Sequence, residues 1–141
     1  MLGRRAVVGV LALAFVIPLV ACSASGSTAA AKNIDVTLSD KDIMLSATEI
    51  PAGAVTFTVM NKGTIVHSIV VLRTDLSHEK IPTDTSDPSK VQEPGSIAAT
   101  GQMAVGTTKQ ITRQLTAGHY VIVCNEPAHY AVGMHTGLQV K

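Results

Sequence analysis

From Ile34 onward, apolar and polar residues follow the two-residue period of β-strands. Between Ala54 and Met60, Val55, Phe57 and Val59 fall on one face, and Thr56 and Thr58 on the other. The run Val66 to Leu72 is β-branched and nearly continuous, as for a strand inside a sandwich rather than at its edge. His67, Ile69 and Val71 share one of its faces. Thr107 to Leu115 predicts a more polar strand whose apolar face is interrupted by Arg113. Tyr120, Ile122 and Cys124 share a face of the next strand, Tyr120–Cys124, so the cysteine sits at its inner, terminal end. Gly137 to Lys141 reads as a short last strand. Turn signals at Pro51-Ala-Gly53, Asn61-Lys-Gly63, Pro94-Gly95 and Ala117-Gly118 separate these runs. Short strands at such spacing, without a long amphipathic helix, predict an all-β fold, an antiparallel sandwich. Thr74 to Ser96, rich in Pro, Asp, Ser and Thr, reads as a surface loop with room for one short helical turn.

The N-terminus has a different pattern. Arg4 and Arg5 precede an almost wholly apolar run from Ala6 to Val20, followed by small residues and Cys22. That order of parts is that of a secretory signal peptide. The run is short for a membrane span and is broken by Pro18. Leu19-Val20-Ala21-Cys22 resembles the lipobox of bacterial lipoproteins, which implies that Cys22 becomes the first mature residue and carries lipid on its sulfur. An ordinary secreted protein, with Cys22 cleaved off or left free, is the plainer reading. The expected organisation is a signal peptide over 1–21, a lipidated Cys22 with a small, polar, flexible tether over 22–32, and one domain over 33–141.

Removing residues 1–21 deletes two arginines and no acid, so the net charge moves from +1 to about −1. That is too near neutral to argue for nucleic acid, and there is no basic cluster or glycine-rich phosphate loop. The chain has 2 cysteines. If Cys22 carries lipid it cannot form a disulfide, and Cys124 becomes a lone thiol in an oxidising compartment. Metal ligation is one explanation for such a thiol.

The chemistry concentrates in Cys124-Asn-Glu-Pro-Ala-His129-Tyr-Ala-Val-Gly-Met134, which places a thiolate, an imidazole and a thioether in one short loop. A further imidazole is available upstream, in Asn61-Lys-Gly-Thr-Ile-Val-His67-Ser68. Two His and one Cys, nearly trigonal, with a long and weak axial Met, suit a blue-copper electron-transfer centre. Singly, each residue has a duller reading: a structural histidine, a small buried cysteine, a gap-filling methionine. Their combination and order favour the metal.

The domain resembles the cupredoxins, the family of plastocyanin, azurin and rusticyanin, over essentially all of 34–141. The matching features are Asn61-x-Gly63 before His67, Gly118-x-Tyr120-x-x-x-Cys124, and the Cys-x4-His-x4-Met loop, whose spacing is most similar to rusticyanin. The resemblance implies a Greek-key sandwich, one copper ion, His67, Cys124 and His129 as equatorial ligands, and Met134 as the axial one. It also implies an exposed edge of His129 for electron exchange. Asn61 and Ser68 are expected in the surroundings of the ligands, with Ser68 acting on the Cys124 sulfur and so on the redox potential. Ser68 stands where azurin-like and plastocyanin-like chains usually have Asn, and Glu126 is unusual in a mostly apolar loop. Of the remaining histidines, His78, His119 and His135 are expected to be bystanders at the surface. Met44, Met60 and Met103 are expected only to pack.

These readings lead to a membrane-anchored, extracytoplasmic one-electron carrier and not an enzyme. Its partner would be a transient redox protein such as a cytochrome or oxidase, docked on Pro127, Ala128, Ala131 and Val132, with the carrier itself a monomer. A copper-binding or delivery module using the same residues is the alternative from another class. A sandwich that has lost its metal is disfavoured by the presence of all four donor types. Zinc ranks below copper because of Met134, and a Cys-His protease lacks the expected arrangement of base and orienting group.

Overall fold

The computed structural model describes residues 30–141. The expected signal peptide, Cys22 and most of the tether lie outside the described residues. Nine strands follow in order: β1 Lys32–Leu38, β2 Ile43–Leu45, β3 Glu49–Ile50, β4 Gly53–Asn61, β5 Val70–Arg73, β6 Ser96–Ala99, β7 Thr108–Leu115, β8 Gly118–Val123 and β9 His135–Val140. They form one sheet in the order β2-β1-β4-β7 and another in the order β3-β9-β8-β5-β6. The chain passes between the sheets after β2, β3, β4, β6 and β7, as expected of a Greek-key sandwich. Most ladders are antiparallel, but β1 pairs with β4 and β3 with β9 in parallel. The sheets are therefore mixed rather than purely antiparallel. Hydrophobic alternation reports which face is buried and is silent on strand direction.

The inter-sheet core takes the inward residues of both layers. Val55, Phe57 and Val59 of β4 face Ile69, Val71, Tyr120, Ile122, Leu138 and Met134, all fully or almost fully buried. The Tyr120 hydroxyl satisfies itself inside this core by donating to the Thr116 carbonyl at 2.9 Å. On β7, Ile111 and Leu115 reach the core, while the intervening Arg113 donates to the Ile97 carbonyl at 2.8 Å.

Regular strand structure begins at Val70 rather than Val66, and the unbroken apolar run has a specific cause. Val70, Leu72, Val121 and Val123 point out of the sandwich, where Ile81, Val91 and Tyr130 cover them in a second buried cluster. The segment between β5 and β6 is thus a cover and not simply a surface loop. It has no helical turn and is pinned by a bridge between Thr83 and Val91. Asn125 fastens the cover to the end of β8. Its side chain accepts from Val91 N–H at 2.8 Å and donates to the Val91 carbonyl at 3.0 Å and to Glu93 at 2.7 Å.

Candidate metal centre

At one end of the sandwich, three loops bring together residues 57 positions apart in sequence. His67 follows the Asn61 turn and forms a two-way bridge with Met103: His67 N–H donates to Met103 O at 3.2 Å and Met103 N–H to His67 O at 2.8 Å. Asn61 ties this turn together. It is wholly buried, donates to Ile65 O at 2.9 Å and Met103 O at 3.0 Å, and accepts from Gly63 N–H at 2.9 Å. All its amide groups are used on backbone, so it shapes the His67 loop without touching a ligand atom.

Cys124 directly follows β8, and its backbone N–H donates to Met134 O at 2.9 Å, which closes the ligand loop at its neck. Within the loop Met134 N–H donates to His129 O at 3.1 Å. Ala128, just before His129, holds φ at 67°, a left-handed conformation costing about 1–2 kcal/mol for a residue with a Cβ. Its N–H donates to Ser89 O at 2.7 Å, so the cover segment also braces the loop.

These loops place His67 Nδ1 and His129 Nδ1 3.1 Å apart, with Cys124 Sγ 3.8 Å from the first and 3.3 Å from the second. The point equidistant from the corners of such a triangle lies about 2.0 Å from each, close to the length of a metal–nitrogen bond and a little short of metal–sulfur. One ion fits between the three donors with little rearrangement. His67 and Cys124 are fully buried and His129 is half-buried, so the group is closed on all sides but that of His129. Met134 is fully buried beside them.

Burial acts on the two loop donors in opposite senses, holding the thiol protonated and the His129 ring neutral. Burial, above all, pushes the Cys124 thiol up from its ordinary value; bonds from the backbone of Ser68 and Glu126 act the other way. The Ser68 N–H donates to Sγ at 3.4 Å. This bond comes from the main chain, and the Ser68 hydroxyl acts on the thiol more weakly than that N–H does. Burial first, and then the neighbouring His67, pushes His129 below the ordinary histidine value, which keeps its ring neutral and available. Glu126 is partly buried and accepts from Gln102 at 3.0 Å, so it ties the loop to a neighbour rather than standing free in solvent.

Metal uptake must then displace the thiol proton. Below the raised thiol pKa, and while His129 stays neutral, copper affinity should fall about tenfold for each pH unit lowered. A chelator competition titration around neutral pH checks this, and a flat profile would contradict it.

Asp40 was not legible as part of this site. Its Oδ1 lies 3.1 Å from His67 Nε2, so an Nε2–H donated to the carboxylate leaves the Nδ1 lone pair facing Cys124 and His129. The Thr64 hydroxyl and amide, at 2.7 Å each, and then His67 hold the Asp40 carboxyl down at about 2. Because the folded value is depressed, what this carboxylate contributes is fully present above the ordinary carboxylate range. It is lost only as pH falls towards about 2.

Gly63 makes that contact possible. A Cβ there would overlap Asp40 Oδ1 and come within 2.6 Å of His67 Nε2. Gly63→Ala should force Asp40 away from the ring and destabilise the fold by about 1–3 kcal/mol. A urea unfolding curve of the metal-free chain unchanged by the substitution would contradict this.

The other histidines are not isolated at the surface as expected. His78 and His135 meet at 2.7 Å, Nδ1 to Nδ1, and His119 is partly buried with Nδ1 2.9 Å from Thr74 O. Of the methionines, Met103 is buried behind His67, whereas Met44 and Met60 are exposed.

Comparison with known proteins agrees with the geometry. The sequence matches the family of copper binding proteins that includes plastocyanin and azurin over residues 29–141. No curated protein matches it significantly. Among solved structures it is similar to the reduced auracyanin of the photosynthetic bacterium Roseiflexus castenholzii. The identity is 25% over 79% of this chain and 98% of that one, with a TM-score of 0.59. It is also similar in fold to rusticyanin from Thiobacillus ferrooxidans, at 22% identity over 79% of each chain and a TM-score of 0.60. With a family match across the whole described domain and a buried His-Cys-His group sized for one copper ion, the chain belongs to the plastocyanin/azurin family of copper binding proteins, the cupredoxins.

Proposed function

We propose that the protein is a one-electron carrier in which His67, Cys124 and His129 hold a single copper ion and Met134 supplies the weak axial donor. The observation that carries this reading is the closed triangle of His67 Nδ1, His129 Nδ1 and Cys124 Sγ, already at bonding size. Bound there, copper would supply a Cu(I)/Cu(II) couple. The chain's own part is to fix the donors so that little moves between the two states. The Asn61 knot, the His67–Met103 bridge and the Cys124–Met134 neck do this from three sides.

His129 is the donor nearest solvent. Pro127, Ala128, Ala131 and Val132 are exposed in the same loop, and offer a small apolar surface for a transient redox partner such as a cytochrome or oxidase. Ile65, Val66 and Val105 are exposed on the loops adjoining the site and would extend it. The sequence of residues 1–22 supports export, removal of residues 1–21 and anchoring through lipid on Cys22, with 22–32 as tether. A monomeric carrier would then work at the extracytoplasmic face of a membrane, with no role in catalysis or nucleic-acid binding. Cys22→Ser should release the protein from the membrane fraction of the producing cell; continued membrane retention would sink the anchor.

Voltammetry of the copper-loaded chain, paired with exposure to a moderate chelator, tests the carrier reading. A reversible one-electron wave with copper retained is expected. Ready loss of copper to the chelator would favour delivery of the ion instead.

A further inference from the structure

The outer face of the five-stranded sheet carries a second group of imidazoles, none of which is among the copper ligands. On β8 and β9 the outward positions pair as Val123 with His135, Val121 with Gly137, and His119 with Gln139. His119 and His135 therefore stand on the same face, on either side of Gly137. Above them lies His78, from the cover segment.

We propose that His78, His135 and His119 form a site for a second divalent transition-metal ion, of the class that imidazole nitrogen binds best, such as Zn2+. Three features support it. The Nδ1 atoms of His78 and His135 converge at 2.7 Å, a hydrogen-bond distance, and rings parted by about 0.6 Å would hold both nitrogens at the separation a tetrahedral ion requires. The His119 ring has Nδ1 against Thr74 O at 2.9 Å, which fixes an Nδ1–H donor there and leaves Nε2 with a free lone pair. That Nε2 and Cδ2 of His78 lie 3.3 and 3.5 Å from where a Cβ on Gly137 would be. The glycine thus leaves a notch that both rings approach. The close pair holds the ion first, and His119 Nε2, with Nδ1 kept on Thr74 O, completes the set as the cover segment settles onto the notch.

The surroundings are built rather than incidental. Tyr130 packs on the His135 ring with centroids 4.7 Å apart, and its hydroxyl donates to His78 O at 2.7 Å while accepting from Ile81 N–H at 3.0 Å. Both members of the pair are thereby positioned by one residue. An ion at this site would clamp the cover segment to β9 and to the ligand loop, since Tyr130 follows His129 and His135 follows Met134 in the chain. Divalent transition ions bound by imidazole commonly complete their shells with water, which this exposed notch admits.

Zinc titration of the tag-free, full chain already loaded with one equivalent of copper tests this, with the blue band reporting the copper centre separately. One equivalent of Zn2+ should bind with the band unchanged. In His78→Ala and His119→Ala the band should persist while zinc affinity falls by at least about tenfold. No zinc uptake by the unsubstituted protein would mean that the pair is only a hydrogen-bonded brace, and would overturn the site. Unchanged affinity in either variant would also overturn it, as would zinc uptake that bleaches the band.

Discussion

Cys124→Ser should leave a folded chain that no longer gains stability from copper. In the metal-free protein the substitution is small: a buried sulfur becomes a buried hydroxyl that can still accept from Ser68 N–H, at a cost of about 1–2 kcal/mol. In the copper-loaded protein it removes the one donor that is both anionic and covalent towards the ion. A ligand that binds only the folded state stabilises it by RT ln(1 + [L]/Kd), about 4 kcal/mol at a thousandfold excess over Kd. Thermal unfolding with and without copper should therefore show a large upward shift in the unsubstituted chain and almost none in the variant. An equal shift in both would mean that copper is held elsewhere.

Asp40→Asn should raise the reduction potential while keeping the blue colour. A carboxylate accepting from the far nitrogen of a ligand imidazole makes the near nitrogen a stronger donor, which favours Cu(II) over Cu(I). Loss of such a partner typically costs 10–100-fold in metal affinity, and if that loss falls on Cu(II) the potential rises by about 60–120 mV. The amide still fits the space beside Thr64 and Gly63 but brings no negative charge. Voltammetry of the variant decides. A retained blue band with an unchanged potential would reduce Asp40 to a structural tie of the Thr64 turn.

The sequence exposes the site better than its supports, for a physical reason. Cys124, His129 and Met134 lie in one loop, and donor atoms with fixed chemistry at short spacing are visible without a fold. His67 becomes visible because a strand pattern leads to it. Asp40 is 27 residues from His67 and sits in a turn with no periodicity, so only the packing of loops at one end of the sandwich brings them together. The same holds for Asn125 and Tyr130, which look like ordinary loop residues yet pin the cover segment. The run Val66 to Leu72 carried a partial signal. Its lack of alternation marks burial on both sides but does not identify the residues, Ile81 and Val91, that supply the second side. The parallel pairings of β1 with β4 and β3 with β9 left no trace in the pattern, because facing residues alternate in the same way in either direction. His78, His119 and His135 looked unrelated for a similar reason: their meeting depends on β8–β9 register and on where a long irregular segment lands.

The visible absorption spectrum of the chain with one equivalent of Cu(II) tests the central claim most directly. Two imidazoles and a thiolate at the corners of the observed triangle should give an intense blue thiolate-to-copper charge-transfer band. A pale or colourless product with an ordinary tetragonal spectrum would mean that Cys124 does not bind the ion, and would contradict the blue-copper carrier.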